Sequence, residues 1–252
     1  LISLGISTAY SQQFAPVGST WTYQDISGTS GLNFPKVFQF RTEKDTIIDD
    51  RYCTIITPYQ LLEDGTWQLG DKSEIVSSNE TGDTIYVYLQ DSFHIIYDFT
   101  AEVGDTIVVT DKEFNGFFGG TLSQRRFVYQ IDSISSVPFE SDTLLMQYVS
   151  YLSPPIDTVP EWGFEDITDM ITNTPGRIVR GIGSLNRFMM LGTSSDFTFL
   201  ITITPDYLNC YEDEDNYYQF GSIDCDSLIS FYSSVHTAIA DQEDQGKVYP
   251  NP

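Results

Sequence analysis

Carboxylates are the one abundant chemical resource of this chain, with 36 Asp and Glu against 12 Lys and Arg in 252 residues. A glycoside hydrolase needs two of them, opposed across a cleft at about 5–10 Å. Glu161, Glu165, Asp166 and Asp169 flank Trp162, which could line such a cleft. A solvated helical face gives the same pattern, and that is the expectation here. Glu212-Asp213-Glu214-Asp215-Asn216 could supply oxygens to a calcium ion, but it lacks the EF-hand spacing and its glycine, so a solvated acidic loop is expected. Other chemistries lack their parts. The chain has two histidines, His94 and His236, too few and too far apart for a zinc site. His94 sits in Phe93-His94-Ile95-Ile96-Tyr97, a strand pattern that predicts a structural role. No Gly-x-Ser-x-Gly elbow occurs, and Gly181-Ile182-Gly183-Ser184-Leu185-Asn186 has the spacing of a turn between strands. No phosphate-cradling loop or dinucleotide fingerprint appears. No catalytic, cofactor-binding or metal-binding residue is assigned, and calcium is the only cofactor left open.

The elements that would position any site are strands. Thr84-Ile85-Tyr86-Val87-Tyr88-Leu89 alternates aliphatics on one face with tyrosines on the other. Phe127-Val128-Tyr129-Gln130-Ile131-Asp132 places Phe127, Tyr129 and Ile131 inward; Lys36–Arg41 and Phe197–Ile203 read similarly. Turn residues separate them: Asp64-Gly65, Thr81-Gly82-Asp83, Val103-Gly104-Asp105 and Gly116 through Gly120. Glu63-Asp64-Gly65-Thr66 predicts a hairpin joining Tyr59–Leu62 to Trp67–Leu69. The chain therefore reads as all-β, an antiparallel sandwich or barrel-like meander, with at most one short helix near 161–172 between Pro160 and Pro175. Asp-(Thr/Ser)-aliphatic recurs at Asp45, Asp83, Asp105, Asp132, Asp142, Asp157 and Asp226. It reads as turn-to-strand punctuation, Asp bonding local backbone while the next residues open a strand. It also resembles the O-glycosylation sequon of exported Bacteroidota proteins. Asn79-Glu80-Thr81 matches an N-glycan sequon.

A formal net charge of −24 opposes binding to nucleic acid and to anionic lipid, which need clustered Lys and Arg. The one adjacent basic pair is Arg125-Arg126. With 40% hydrophobic and 14% aromatic residues, the chain has ample core material. No segment reaches the roughly 20 apolar residues of a membrane-spanning helix.

Both ends point to export. Leu1 to Ser11 is uncharged, apolar at its start and rich in small residues at its end, the pattern of a secretory signal. The expected divisions are a signal remnant at 1–11, an all-β passenger at 12–240, and at 241–252 a polar linker leading into Lys247-Val248-Tyr249-Pro250-Asn251-Pro252. That last string resembles the opening of the C-terminal sorting domain of type IX secretion cargo in Bacteroidota. The resemblance implies a secreted or outer-surface protein, partnered with the type IX machinery through a domain lying beyond Pro252. Four blocks of the passenger also resemble secreted Bacteroidota proteins: Phe14–Tyr23; Ile96–Phe99 with Val103–Thr106; Gly181–Leu185; and Leu208–Tyr211 with Cys225. Arg180 stands where that pattern has Glu.

In an oxidising compartment Cys210 and Cys225 are expected to form a disulfide. Cys53, in the strand pattern Tyr52–Ile56, is expected to be a buried free thiol. Function follows as an expectation by class: an extracellular, non-catalytic module that contacts a glycan or a surface protein through aromatic residues on strands. A carboxylate-dependent polysaccharide hydrolase and a structural surface protein are the alternatives.

Overall fold

The computed structural model describes residues 14–25, 36–62, 64–70, 74–89, 91–115, 121–139, 142–152, 176–185 and 207–234. They carry fourteen strands: β1 Thr20–Asp25, β2 Lys36–Ile48, β3 Arg51–Leu61, β4 Trp67–Leu69, β5 Glu74–Ser78, β6 Thr84–Leu89, β7 Ser92–Asp98, β8 Thr106–Asn115, β9 Thr121–Phe139, β10 Asp142–Leu152, β11 Gly176–Val179, β12 Gly183–Ser184, β13 Tyr207–Glu212 and β14 Tyr217–Gln219. One helix, α1, covers 225–234. The all-β antiparallel reading holds. The larger sheet runs β14-β13-β1-β2-β3-β5-β6-β7, with β4 also on β3; the smaller runs β12-β11-β10-β9-β8. The Leu208 amide donates to the Leu185 carbonyl at 2.8 Å and joins the two sheets at one side.

Period-2 patterning decides which face of each strand meets the core. Ile85 and Val87 are fully buried while Tyr86 and Tyr88 are half-buried on the opposite face, as the alternation requires. Tyr129 and Ile131 are buried, and Asp132 is exposed. β2 departs from simple alternation: Val37, Phe38 and Gln39 are all buried. The reason is that both of its faces are covered. Phe38 and Phe40 pair with Tyr23 and Trp21 on the inner face, whereas Val37 joins Leu61, Leu228 and Tyr232 in a separate cluster under α1.

The inner core is aromatic, and Trp21, Tyr23 and Tyr129 tie it across the sheets through their polar atoms. Trp21 Nε1 donates to the Ile182 carbonyl at 2.8 Å, Tyr23 Oη to the Ser184 carbonyl at 2.7 Å, and Tyr129 Oη to the Ile96 carbonyl at 2.9 Å. Each of these bonds offsets the cost of burying the polar atom. Trp21 also packs on Tyr211 at 5.2 Å and Phe14 at 6.2 Å between ring centroids. Gly181 and Gly183 make the expected turn between β11 and β12, at φ 82° and 98°. A Cβ at Gly183 would meet the rings of Phe14 and Tyr97 at 3.2 Å, so the close sheet packing there needs glycine.

The hairpin β3–β4 forms as predicted, with Tyr59 opposite Leu69 and Leu61 opposite Trp67. The Asp-(Thr/Ser)-aliphatic reading needs correcting at three places. Asp45 lies inside β2, Asp132 lies inside β9, and Asp226-Ser227-Leu228 lies in the first turn of α1, not at a strand start. Asp224 caps that helix: its Oδ1 accepts from the Ser227 amide at 2.8 Å, and its carbonyl accepts from the Leu228 amide at 2.9 Å. Cys225, Leu228, Ile229 and Tyr232, at spacing i, i+3, i+4, i+7, form the face turned to the sheet. The helix expected near 161–172 lies outside the described residues, as do Phe197–Ile203 and both terminal segments.

Candidate functional site

The outer face of the larger sheet falls into two parts. Over β1, β2, β3 and β13 it is covered by α1 and pinned by the expected Cys210–Cys225 disulfide. Register explains the bond: Cys210 lies opposite the outward-facing Thr22 and so meets the first residue of the helix. A cleft of about 270 Å³ remains beside the disulfide, with Thr22 and Gln39 in its lining and Glu212, Asp224 and Asp226 also bordering it. Its buried polar groups are already engaged, since Gln39 Nε2 donates to Thr22 Oγ1 at 3.1 Å and Gln39 Oε1 accepts from Arg41 Nε and Nη2 at 2.9 and 2.6 Å.

Over β3, β5, β6 and β7 the outer face carries a half-buried aromatic strip, with Cys53 and Ser77 buried on the same face. Tyr86 and Tyr88 project outward from β6 because Ile85 and Val87 project inward. β7 places Phe93 opposite Tyr88 and Ile95 opposite Tyr86. Tyr88 and Phe93 lie 5.0 Å apart between centroids, tilted by 54°, and Ile95 is 37% exposed. Arg51 reaches this strip from β3, its guanidinium carbon 4.9 Å from the Tyr86 centroid and 4.7 Å from that of Phe93. It starts from the two-residue turn Asp49–Asp50, where both residues take positive φ, at 48° and 60°; Asp is among the few residues that tolerate this. The intervening β5 position opposite Tyr86 is Ser77, small enough to let the arginine pass. At the other end, Asp91 forms the β6–β7 turn at φ 60°, with its Oδ1 3.5 Å from Tyr88 Oη. Partial burial and the carboxylates of Asp91 and Asp49 push the Tyr88 phenol up.

The two outward arginines differ in how their donors are used. Arg41 also stacks on aromatics, at 4.5 Å from Tyr59 and 5.0 Å from Trp67, but gives two donors to Gln39. Arg51 is exposed and donates to no acceptor among the described residues. Its planar fork is held by two rings and faces solvent. The strip thus offers ring faces, an unused guanidinium, and the carboxylates of Asp49 and Asp91.

Sequence-derived candidates are placed as follows. Cys53 is the expected buried free thiol, on β3 beside Ser77, and burial pushes its pKa up. His94 is half-buried, with Nε2 2.8 Å from Ser92 Oγ; His236 lies outside the described residues. The segment Glu212–Asn216 is a structured turn: Asp213 Oδ1 accepts from the Asp215 and Asn216 amides and from Asn216 Nδ2, and Oδ2 accepts from Tyr211 Oη at 2.8 Å. That carboxylate is engaged in holding β13 to β14. Arg180 pairs with Asp83 at 2.7 Å and reaches the Thr81 carbonyl, clamping the turn before β6. The group at Glu161, Trp162, Glu165, Asp166 and Asp169 lies outside the described residues. Among the described residues, no cluster of three His, Cys, Asp or Glu could hold a metal ion, and no helix is long and apolar enough to cross a membrane. The convergence of Arg51, Tyr86 and Phe93 was not legible from spacing, although the outward tyrosines of β6 were. No protein-family model, curated protein or solved structure matches the chain.

Proposed function

We propose that this is an extracellular, non-catalytic module that holds a neutral glycan against the strip of Tyr86, Tyr88 and Phe93, and that it reaches the cell surface as type IX secretion cargo. The observation that carries the binding reading is the aromatic strip with Arg51 against it, whose guanidinium meets no acceptor among the described residues. Ring faces take the apolar face of a pyranose, and arginine and carboxylate groups beside them match its hydroxyls. The overall charge of −24 favours an uncharged ligand over a polyanion. The disulfide supports an oxidising destination, and the Lys247–Pro252 string supports the route. A glycan array followed by calorimetric titration tests binding. Tyr88→Ala is expected to weaken it by about tenfold, since a stacked ring contributes on the order of 1 kcal/mol or more, and Phe93→Ala likewise, by removing the ring packed against Tyr88 and under Arg51. A reducing-sugar assay on the bound glycan separates this module from a hydrolase, with no release of reducing ends expected. Protease accessibility on intact cells, with and without the type IX translocon, tests the route.

A further inference from the structure

We propose that Arg51 sets the specificity of the aromatic strip, donating from two guanidinium nitrogens to adjacent hydroxyl oxygens of a neutral pyranose stacked on Tyr88. This rests on the glycan reading above and names the group that orients the sugar. Three observations lead to it. The guanidinium lies near two ring centroids, at 4.9 and 4.7 Å, which place it beside the strip before any ligand arrives. None of its donors meets an acceptor among the described residues, in contrast to Arg41, whose Nε and Nη2 both bond Gln39. Because Arg51 stands over Tyr86 and Phe93, the ring left to receive a sugar is Tyr88. Asp91, whose Oδ1 accepts from the Tyr88 hydroxyl at 3.5 Å, then supplies a carboxylate acceptor beside the same ring. A ligand fitting this arrangement needs acceptors toward Arg51 and a donor toward Asp91. Vicinal hydroxyls provide both, whereas a carboxylated sugar would satisfy Arg51 but be repelled by Asp49 and Asp91.

The test titrates the full protein with hexasaccharides of β-linked glucose and of β-linked mannose, and with an oligogalacturonate of equal length. The wild type is expected to bind at least one neutral hexamer and to prefer it to the oligogalacturonate. Arg51→Lys, which keeps charge but not the planar fork, and Arg51→Met, which keeps length, are each expected to lose about tenfold in affinity or more, with thermal unfolding close to wild type. Retained affinity in Arg51→Lys would show that charge alone suffices, and retained affinity in Arg51→Met that the residue only packs; either overturns the proposal. So does preference for the oligogalacturonate. A wild type that binds none of the three overturns the glycan reading itself, a different result from binding that is indifferent to residue 51.

Discussion

Single side chains in this fold are settled by burial and by what meets their polar atoms. The Cys53 thiol is fully buried on β3, its Sγ 3.4 Å from the Arg51 carbonyl, and burial raises its pKa, so little thiolate forms at neutral pH. A thiol reagent applied to the native protein is therefore expected to leave Cys53 unmodified, and to label one thiol per chain once the protein is unfolded with its disulfide intact. Rapid labelling of the native protein would contradict that burial. Tyr23 is governed by its hydroxyl. Tyr23→Phe keeps the ring in place but leaves the buried Ser184 carbonyl short of a donor, and is expected to cost about 1–3 kcal/mol in denaturant unfolding. Much at this scale was legible in the sequence: Cys53 and the Cys210–Cys225 pair were identified from strand pattern and compartment alone. Arg51 was not, because its partners Tyr86 and Phe93 lie on strands more than thirty residues away in the chain, and periodicity says nothing about which strands become neighbours.

Among the elements, α1 is the one most dependent on few contacts. It rests on the small cluster of Val37, Leu61, Leu228 and Tyr232, is capped by Asp224, and is tied down by a disulfide closing a separation of 15 residues. Removing both cysteines together (Cys210→Ser with Cys225→Ser) is expected to cost roughly 3 kcal/mol, with amide exchange accelerated first at Leu228 and Tyr232. The cap has a pH signature. The amide and hydroxyl of Ser227 hold Asp224 below its ordinary value of 3.8. A carboxylate with a lowered folded pKa contributes stability that is present above the unfolded value and is lost as pH falls through the folded one. Protection of α1 amides should thus decline on the acid side of 3.8 in the wild type, and Asp224→Asn should remove that part of the dependence while retaining a capping oxygen. The spacing of Cys225, Leu228, Ile229 and Tyr232 after an Asp cap was a readable helix signal. The repeated Asp-Ser-aliphatic pattern competed with it and pointed to a strand start, and the cap geometry decided the matter. β6 gave no such conflict: Ile85 and Val87 against Tyr86 and Tyr88 fixed both its type and the face it turns outward.

At the scale of the molecule, the core explains the position of the strip. Trp21, Tyr23, Tyr97, Tyr129 and Tyr211 fill the space between the two sheets, and the side-chain bonds from Trp21, Tyr23 and Tyr129 lock one sheet to the other. Among the described residues the helix lies over only part of the larger sheet's outer face, and Tyr86, Tyr88, Phe93 and Ile95 face outward beyond it on paired strands, where a binding surface is best placed. The central claim is that this strip is a glycan-binding surface. Calorimetric titration of the wild type and of Tyr88→Ala, with the neutral glycan selected on the array, tests it most directly. Saturable binding that falls about tenfold in Tyr88→Ala, with unchanged thermal unfolding, is the predicted result; wild-type binding that survives Tyr88→Ala and Phe93→Ala alike, or no glycan binding at all, would contradict the account.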